Sequence, residues 1–121
     1  MLAHARLESP RECCGLLIGT GHVVSRCVRA RNDDAQATAR YLINPEDHFA
    51  AIRAARADRL EVVGAYHSHP FNAPVPSATD IAEANGGADF LYVIVSPAGD
   101  EVRAYRIEEG TVFPCPVTVT P

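Results

Sequence analysis

The chain has 121 residues, of which 47% are hydrophobic, and its formal net charge is −4; this predicts one globular domain spanning residues 1–121, with a buried core. The acidic balance and the lack of a lysine and arginine cluster argue against a nucleic-acid partner. No apolar run approaches the roughly 20 residues of a membrane span, and the first residues lack the apolar core of a signal peptide, so we expect no membrane partner and a cytoplasmic location.

The first 30 residues predict a short helix followed by a β-hairpin. Residues 1–8 carry two leucines and two alanines, which favour a short helix, and Ser9-Pro10 ends it. The continuous apolar run 13–18 predicts a strand that is buried on both faces. After a glycine-rich turn, residues 23–29 return as its hairpin partner.

A loop and a longer helix follow in the middle of the chain. Residues 32–34 are polar and predict a loop, and the apolar residues 41–43 predict a short strand. Asn44 is a typical N-cap and Pro45 suits the first helical position. The helix continues to about residue 60, with Phe49 and Ile52 at helical spacing.

The second half of the chain alternates buried strands with a short helix. Residues 61–67 form an apolar run that ends in a histidine, and residues 90–95 form another. Both predict deeply buried strands. Between them, residues 78–85 predict a helix that Gly86-Gly87 ends.

The last part of the chain predicts two further strands. Residues 102–107 alternate in polarity and favour a half-exposed antiparallel strand. Residues 111–119 contain two prolines and suit only an edge strand or a tail. Together, these elements place the protein in the α/β class, with a mixed sheet.

The chemistry of the chain is concentrated around His67 and His69. Side chains alternate along a strand, so these two imidazoles face the same way, roughly 6–7 Å apart. Pro70 ends the strand, and the proline-stiffened loop brings Asp80 back toward the histidines. Two nitrogens and one carboxylate oxygen suit zinc, with the fourth position left for water.

Each part of this pattern also has a simpler interpretation. An isolated His-x-His pair is commonly a surface pair or a satisfied core pair. Ser77 and Asp80 have the spacing of a helix capping box. The capping and ligand interpretations compete for the Asp80 carboxylate, which we do not expect to serve both.

The combined motif resembles that of the JAMM (MPN-plus) metalloprotease family. The family pattern is matched by His67-x-His69-Pro70, by the ten residues between His69 and Asp80, and by Ser77 three residues before Asp80. Glu12 lies in a context similar to that of the family's upstream glutamate. The resemblance runs from about residue 10 to residue 107.

This resemblance implies a deaminase-like α/β sandwich, a curved mixed sheet flanked by helices. It implies one zinc ion per chain with a bound water, held by His67, His69 and Asp80. Glu12 would take the proton from that water and pass it to the leaving amine. Ser77 would donate a hydrogen bond to the oxyanion of the tetrahedral intermediate.

Three functions stay open at this point. The first is a zinc isopeptidase or peptidase that cleaves after the C-terminal glycine tail of a ubiquitin-like or sulfur-carrier protein. The second is a hydrolase that releases cysteine or another amino acid from a sulfur-carrier adduct. The third is a non-catalytic MPN scaffold, against which the complete motif argues. The sequence leaves the carrier, the leaving group and the oligomeric state open.

The remaining candidate residues have structural interpretations. The four cysteines include no Cys-x-x-Cys pair, so we expect mostly buried, reduced thiols, with no support for a reactive Cys14. The histidines without a partner at ligand spacing are expected on the surface: His4, His22 and His48. Tyr66 and Phe71 flank the motif, and we expect both to pack.

Overall fold

The computed structural model describes residues 1–119 as a six-stranded sheet with three α-helices. The helices are α1 (Leu2–Glu8), α2 (Pro45–Ala57) and α3 (Ala78–Glu83). The strands are β1 (Cys14–Thr20), β2 (Val23–Ala30), β3 (Glu61–Ser68), β4 (Leu91–Ser96), β5 (Glu101–Glu108) and β6 (Thr111–Cys115).

The sheet has the strand order β2-β1-β3-β4-β5-β6. Strands β3 and β4 pair in parallel, and the other neighbouring strands pair antiparallel. A parallel pair needs a long crossover, and the segment containing α3 supplies it. The predicted α/β class and mixed sheet are therefore confirmed.

Both faces of the sheet are covered, which explains the continuous apolar runs. One core cluster contains Leu17, Tyr66 and Val93 and packs around Ala5 of α1. The other contains Leu16 and Ala65 and packs under α2. Six of the seven residues of β1 are buried, as the apolar run predicts.

Helix α2 begins as predicted but turns a different face to the core. Asn44 caps it by accepting a hydrogen bond from the Asp47 amide at 3.0 Å. Ala51 and Ala55 are the buried residues, whereas Phe49 is 62% exposed. The helix ends at Ala57 instead of near residue 60. Small side chains allow it to lie close to the sheet.

Two other predicted boundaries are wrong. Residues 41–43 make only one β-bridge, between Ile43 and Asn32, because the Leu42 amide donates to the Asn32 side chain instead of to a strand. Helix α3 ends at Glu83, two residues early, because Ala84 takes an extended conformation before the glycines.

Three expectations about individual side chains are also wrong. His4 is 5% exposed because its Nδ1 bonds the Tyr66 hydroxyl at 2.8 Å beneath α1. Phe71 is 74% exposed because it lies in the loop beyond β3. Cys27 is exposed on the edge strand β2, whereas Cys13 and Cys14 are buried; all four thiols are free.

His22, His48 and Tyr66 lie where the sequence predicts, the first two exposed and the third buried. None of the helices within residues 1–119 is long and apolar enough to span a bilayer.

Candidate metal centre

The end of β3 places two imidazoles and one carboxylate at a common point. His67 Nε2 lies 3.2 Å from His69 Nε2 and 3.2 Å from Asp80 Oδ2. His69 Nε2 lies 3.1 Å from the same Asp80 oxygen. His69 follows the last residue of β3, but its amide still donates to the Val95 carbonyl of β4. The sheet therefore orients both histidines.

This triangle of atoms has the size of one face of a tetrahedral zinc site. Zinc–ligand bonds of 2.0–2.1 Å with tetrahedral angles place two ligand atoms about 3.3 Å apart. The three observed separations are 3.1–3.2 Å. Three lone-pair-bearing atoms at this distance repel one another unless a cation or a shared proton lies between them. The residues present therefore fit a zinc ion.

The Asp80 carboxylate is placed both for helix capping and for metal ligation, the two interpretations that compete for it in the sequence. Its Oδ2 accepts from the Ser77 amide at 2.9 Å, and the Ser77 hydroxyl accepts from the Asp80 amide at 3.0 Å. This is a complete capping box at the start of α3. The same Oδ2 faces both histidines at 3.1–3.2 Å, so the cap does not turn this oxygen away from them. Capping holds the oxygen in the position that the expected ligand role would require.

The loop after His69 fixes which ring nitrogen faces the centre. His69 Nδ1 lies 3.0 Å from the Ala73 carbonyl. A carbonyl only accepts, so Nδ1 carries a proton. Two neighbouring carbonyls are held as well: Ser96 Oγ donates to Asn72 at 3.0 Å, and Tyr105 Oη donates to Pro74 at 2.6 Å. The sheet thus fixes three successive loop carbonyls, one of which orients His69.

Glu12 is the fourth polar group of the centre. A Glu12 carboxylate oxygen lies within 4.8 Å of ring nitrogens of His67 and His69. Glu12 is 7% exposed, and its buried Oε1 has no hydrogen-bond partner. Burial raises the Glu12 pKa to about 7; the nearby His69 opposes this increase, and the Asp80 charge adds a smaller increase. An unpartnered carboxyl with a near-neutral pKa suits proton exchange.

The segment beside Glu12 is tied to the end of β3. The Cys13 amide donates to Ser68 Oγ at 2.8 Å, and the Ser68 amide donates to the Cys13 carbonyl at 3.1 Å. Ser68 lies between the two histidines in the sequence. These bonds link the backbone of Glu12 to the strand that presents His67.

The charges within the centre favour binding of a cation. Burial lowers the His67 pKa, which keeps its imidazole neutral and able to ligate. For His69, burial is outweighed by the hydrogen bonds to Asp80 and to the Ala73 carbonyl, so its pKa is raised. For Asp80, burial is outweighed by the two histidine contacts, so its pKa lies well below the usual range. The carboxylate is therefore ionised.

Tyr41 completes the wall of the centre, and the sequence did not predict this role. Its ring stacks on His67 with the ring centroids 4.4 Å apart and the planes 17° apart. No local pattern marks Tyr41, because the contact depends on the loop before α2 folding over the end of β3. Burial raises the pKa of the Cys14 thiol to about 12, which disfavours a reactive thiolate at this position.

The structure brings all five predicted site residues together. The carboxylate of Glu12 joins the triangle formed by His67, His69 and Asp80. Ser77 is exposed beside them, at the N-cap of α3.

Comparison with known proteins gives one family and several relatives. Residues 1–108 match the family described as prokaryotic homologs of the JAB domain. The chain is 35% identical to the desampylase of Haloferax volcanii, over 82% of this chain and 75% of that protein. It is 37% identical to the CysO-cysteine peptidase of Mycobacterium tuberculosis, over 98% of this chain and 84% of that one. A solution structure of a Desulfitobacterium hafniense protein aligns with a TM-score of 0.83 at 30% identity, covering 94% of this chain and 82% of that chain.

Proposed function

Because the chain belongs to the prokaryotic homologs of the JAB domain, we propose that it is a zinc-dependent hydrolase acting on protein conjugates. It cleaves the amide or isopeptide bond after the C-terminal glycine of a ubiquitin-like or sulfur-carrier protein, with residues 1–121 as one catalytic domain. The observation that carries the proposal is the 3.1–3.2 Å triangle of His67, His69 and Asp80 with Glu12 beside it. The cytoplasmic location and the absence of a nucleic-acid partner stay predictions.

The metal role falls to His67, His69 and Asp80. These three residues would hold one zinc ion, which lowers the pKa of its bound water toward 7. The protonated Nδ1 of His69 donates to the Ala73 carbonyl, which leaves Nε2 as the ligand atom.

Glu12 acts as the general base and then as the general acid. Its side chain is buried next to the ligand atoms, and its pKa of about 7 allows proton exchange at neutral pH. The buried, unpartnered Oε1 is free to accept the proton of the attacking water and to return it to the leaving amine.

Ser77 stabilises the charge that develops on the scissile carbonyl. Its hydroxyl oxygen accepts from the Asp80 amide, so its hydrogen stays available for donation. The exposed position beside Asp80 suits a donor that reaches incoming substrate.

The substrate tail approaches along the loop that follows His69. Strand β3 lies between β1 and β4, so its backbone groups are already paired, and the sheet edges are β2 and β6. An extended tail near the centre therefore runs beside loop 70–76, whose residues 71–73 are exposed. Glycines suit this approach because they carry no side chain to clash with the loop.

The leaving group separates the two enzymatic alternatives. The Haloferax relative is named a desampylase, and the mycobacterial relative is named a CysO-cysteine peptidase. A lysine leaving group corresponds to an isopeptidase, and a cysteine leaving group corresponds to release of an amino acid from a carrier. The complete set of five site residues argues against a non-catalytic scaffold.

The test combines metal analysis with a cleavage assay. Elemental analysis after mild dialysis should find one zinc per chain. Mass spectrometry should show cleavage of carrier conjugates that end in Gly-Gly, with lysine and cysteine adducts compared. Replacing the terminal glycine with a bulky residue should abolish cleavage. A chain that takes up no zinc, or that cleaves unrelated peptides with large residues equally well, contradicts the proposal.

A further inference from the structure

Asn32 uses its whole side-chain amide to organise the loop before α2. Its Nδ2 donates to the Glu12 carbonyl at 2.9 Å and to the Arg40 carbonyl at 3.0 Å. Its Oδ1 accepts from the amides of Asp34 and Leu42, both at 3.0 Å. Two carbonyls on one side and two amides on the other fix the orientation of the group.

The same loop holds the backbone of Glu12 from both sides. The Glu12 amide donates to the Ala37 carbonyl at 2.7 Å, and the Glu12 carbonyl accepts from Asn32. Glu12 precedes β1, whose first residue is Cys14. The loop thus bonds both backbone groups of Glu12, in addition to the Cys13–Ser68 bonds that hold the next residue against β3.

Asn32 also controls the segment that carries Tyr41. Its contacts to the Arg40 carbonyl and the Leu42 amide lie immediately before and after Tyr41 in the chain. The Tyr41 ring stacks on His67 with 4.4 Å between the ring centroids. One amide group thus connects the backbone of Glu12 with the aromatic ring that packs on a histidine of the centre.

We propose that Asn32 is a positioning residue that fixes the Glu12 carboxyl and the His67 ring relative to each other before substrate binds. The inference rests on the proposed role of Glu12 as the proton carrier. Asn32 contacts the Glu12 backbone and leaves the Glu12 carboxyl free to react. A displacement of about 1 Å at a reacting group costs on the order of 10²-fold in rate, so this anchoring matters for turnover.

Two variants of Asn32 separate its two functions. Asn32→Asp keeps an acceptor for the amides of Asp34 and Leu42 but loses the donors to the Glu12 and Arg40 carbonyls. Asn32→Ala loses all four bonds. If the alanine variant does not fold, the aspartate variant still tests the link to Glu12.

Asn44 supplies the matched control, at the other end of the same loop. Its side-chain amide donates to Asp33 at 2.8 Å and accepts from the Asp47 amide and the Arg31 guanidinium, both at 3.0 Å. None of its side-chain contacts reaches Glu12, Tyr41 or a histidine. Asn44→Ala therefore removes a comparable set of bonds without loosening the proposed site.

Kinetics with a carrier conjugate give the first measurement. Both Asn32 variants should lower kcat by about 10–100-fold, with KM unchanged, because the tail-binding loop is intact. Asn44→Ala should keep the wild-type kcat. Wild-type kcat in both Asn32 variants, or an equal loss in Asn44→Ala, overturns the inference.

NMR of the metal-free protein tests the arrangement without relying on activity. In Asn32→Ala, the amides of Glu12 and Leu42 should exchange faster with solvent. The His67 ring protons should lose the upfield shift caused by the stacked Tyr41 ring. Asn32→Asp should speed exchange at Glu12 and change the His67 shift less than Asn32→Ala does, because the bond from the Leu42 amide remains. Unchanged exchange and an unchanged shift in the alanine variant overturn the inference.

These measurements also separate failure of the inference from failure of the proposed function. If the wild type binds zinc but cleaves none of the carrier conjugates, the proposed function fails. The exchange rates and the His67 shift then still decide whether Asn32 positions Glu12.

Discussion

Replacing Glu12 with Gln should make the metal-free protein more stable at neutral and alkaline pH while abolishing turnover. Gln is nearly isosteric with Glu and carries no charge. Glu12 is 7% exposed and its buried Oε1 has no hydrogen-bond partner, so its ionised form is poorly solvated. The substitution removes that cost.

The size of the effect follows from the pKa of Glu12. Burial raises it from 4.5 to about 7, and one pKa unit corresponds to about 1.4 kcal/mol, so ionisation costs about 3 kcal/mol of folding free energy. Between these values the folded chain binds more protons than the unfolded chain, so stability falls as pH rises. Below pH 4.5 both states are protonated and the cost disappears.

The assay is urea denaturation of chelator-treated protein at several pH values. The stability of Glu12→Gln relative to wild type should grow by about 3 kcal/mol between about pH 4.5 and about pH 8.5. Glu61→Gln is the control, because Glu61 is exposed at the start of β3. A stability difference between Glu12→Gln and wild type that does not change with pH refutes the reasoning.

Three further substitutions test the rest of the centre. Asp80→Ala should lower zinc content and also destabilise α3, because one oxygen serves both the ligand triangle and the cap; full zinc affinity in this variant would leave Asp80 a cap alone. Ser77→Ala should keep zinc and slow turnover by about 10²–10³-fold, with a stability loss of about 1 kcal/mol from the lost cap; wild-type turnover would remove Ser77 from the mechanism. Tyr105→Phe should weaken zinc binding by about 10-fold in a competition titration, since it frees the Pro74 carbonyl and loosens the loop that orients the histidine ligand. Tyr66→Phe, on the opposite face of the sheet, should not, and an equal loss in both variants would contradict the role of that loop.

The sheet was predictable because its central strands bury both faces. Strands β1, β3 and β4 therefore appear in the sequence as continuous apolar runs. The starts of α2 and α3 were predictable because Asn44 and Ser77 form their caps through bonds within four residues. Signals of this kind need no knowledge of the fold.

The parts that depend on tertiary contacts were not predictable. Residues 41–43 have the composition of a strand, but the Leu42 amide donates to the side chain of Asn32, ten residues earlier, and the Leu42 carbonyl accepts from the Asp33 amide. His4 carries no local sign of burial, because its partner Tyr66 lies 62 residues away. The roles of Glu12 and Ser77 came from family resemblance, since no spacing within the chain links Glu12 to the histidines.

The shared oxygen of Asp80 limits how this sequence can change over time. Cysteine or histidine at position 80 would alter the preference for one metal over another, but neither supplies a carboxylate to the Ser77 amide at the start of α3. Replacing Asp80 with a cysteine or histidine would therefore disturb the first turn of α3 as well as metal preference, and would require a compensating substitution at position 77. Selection that preserves the helix start would preserve with it the carboxylate oxygen that we propose as a metal ligand.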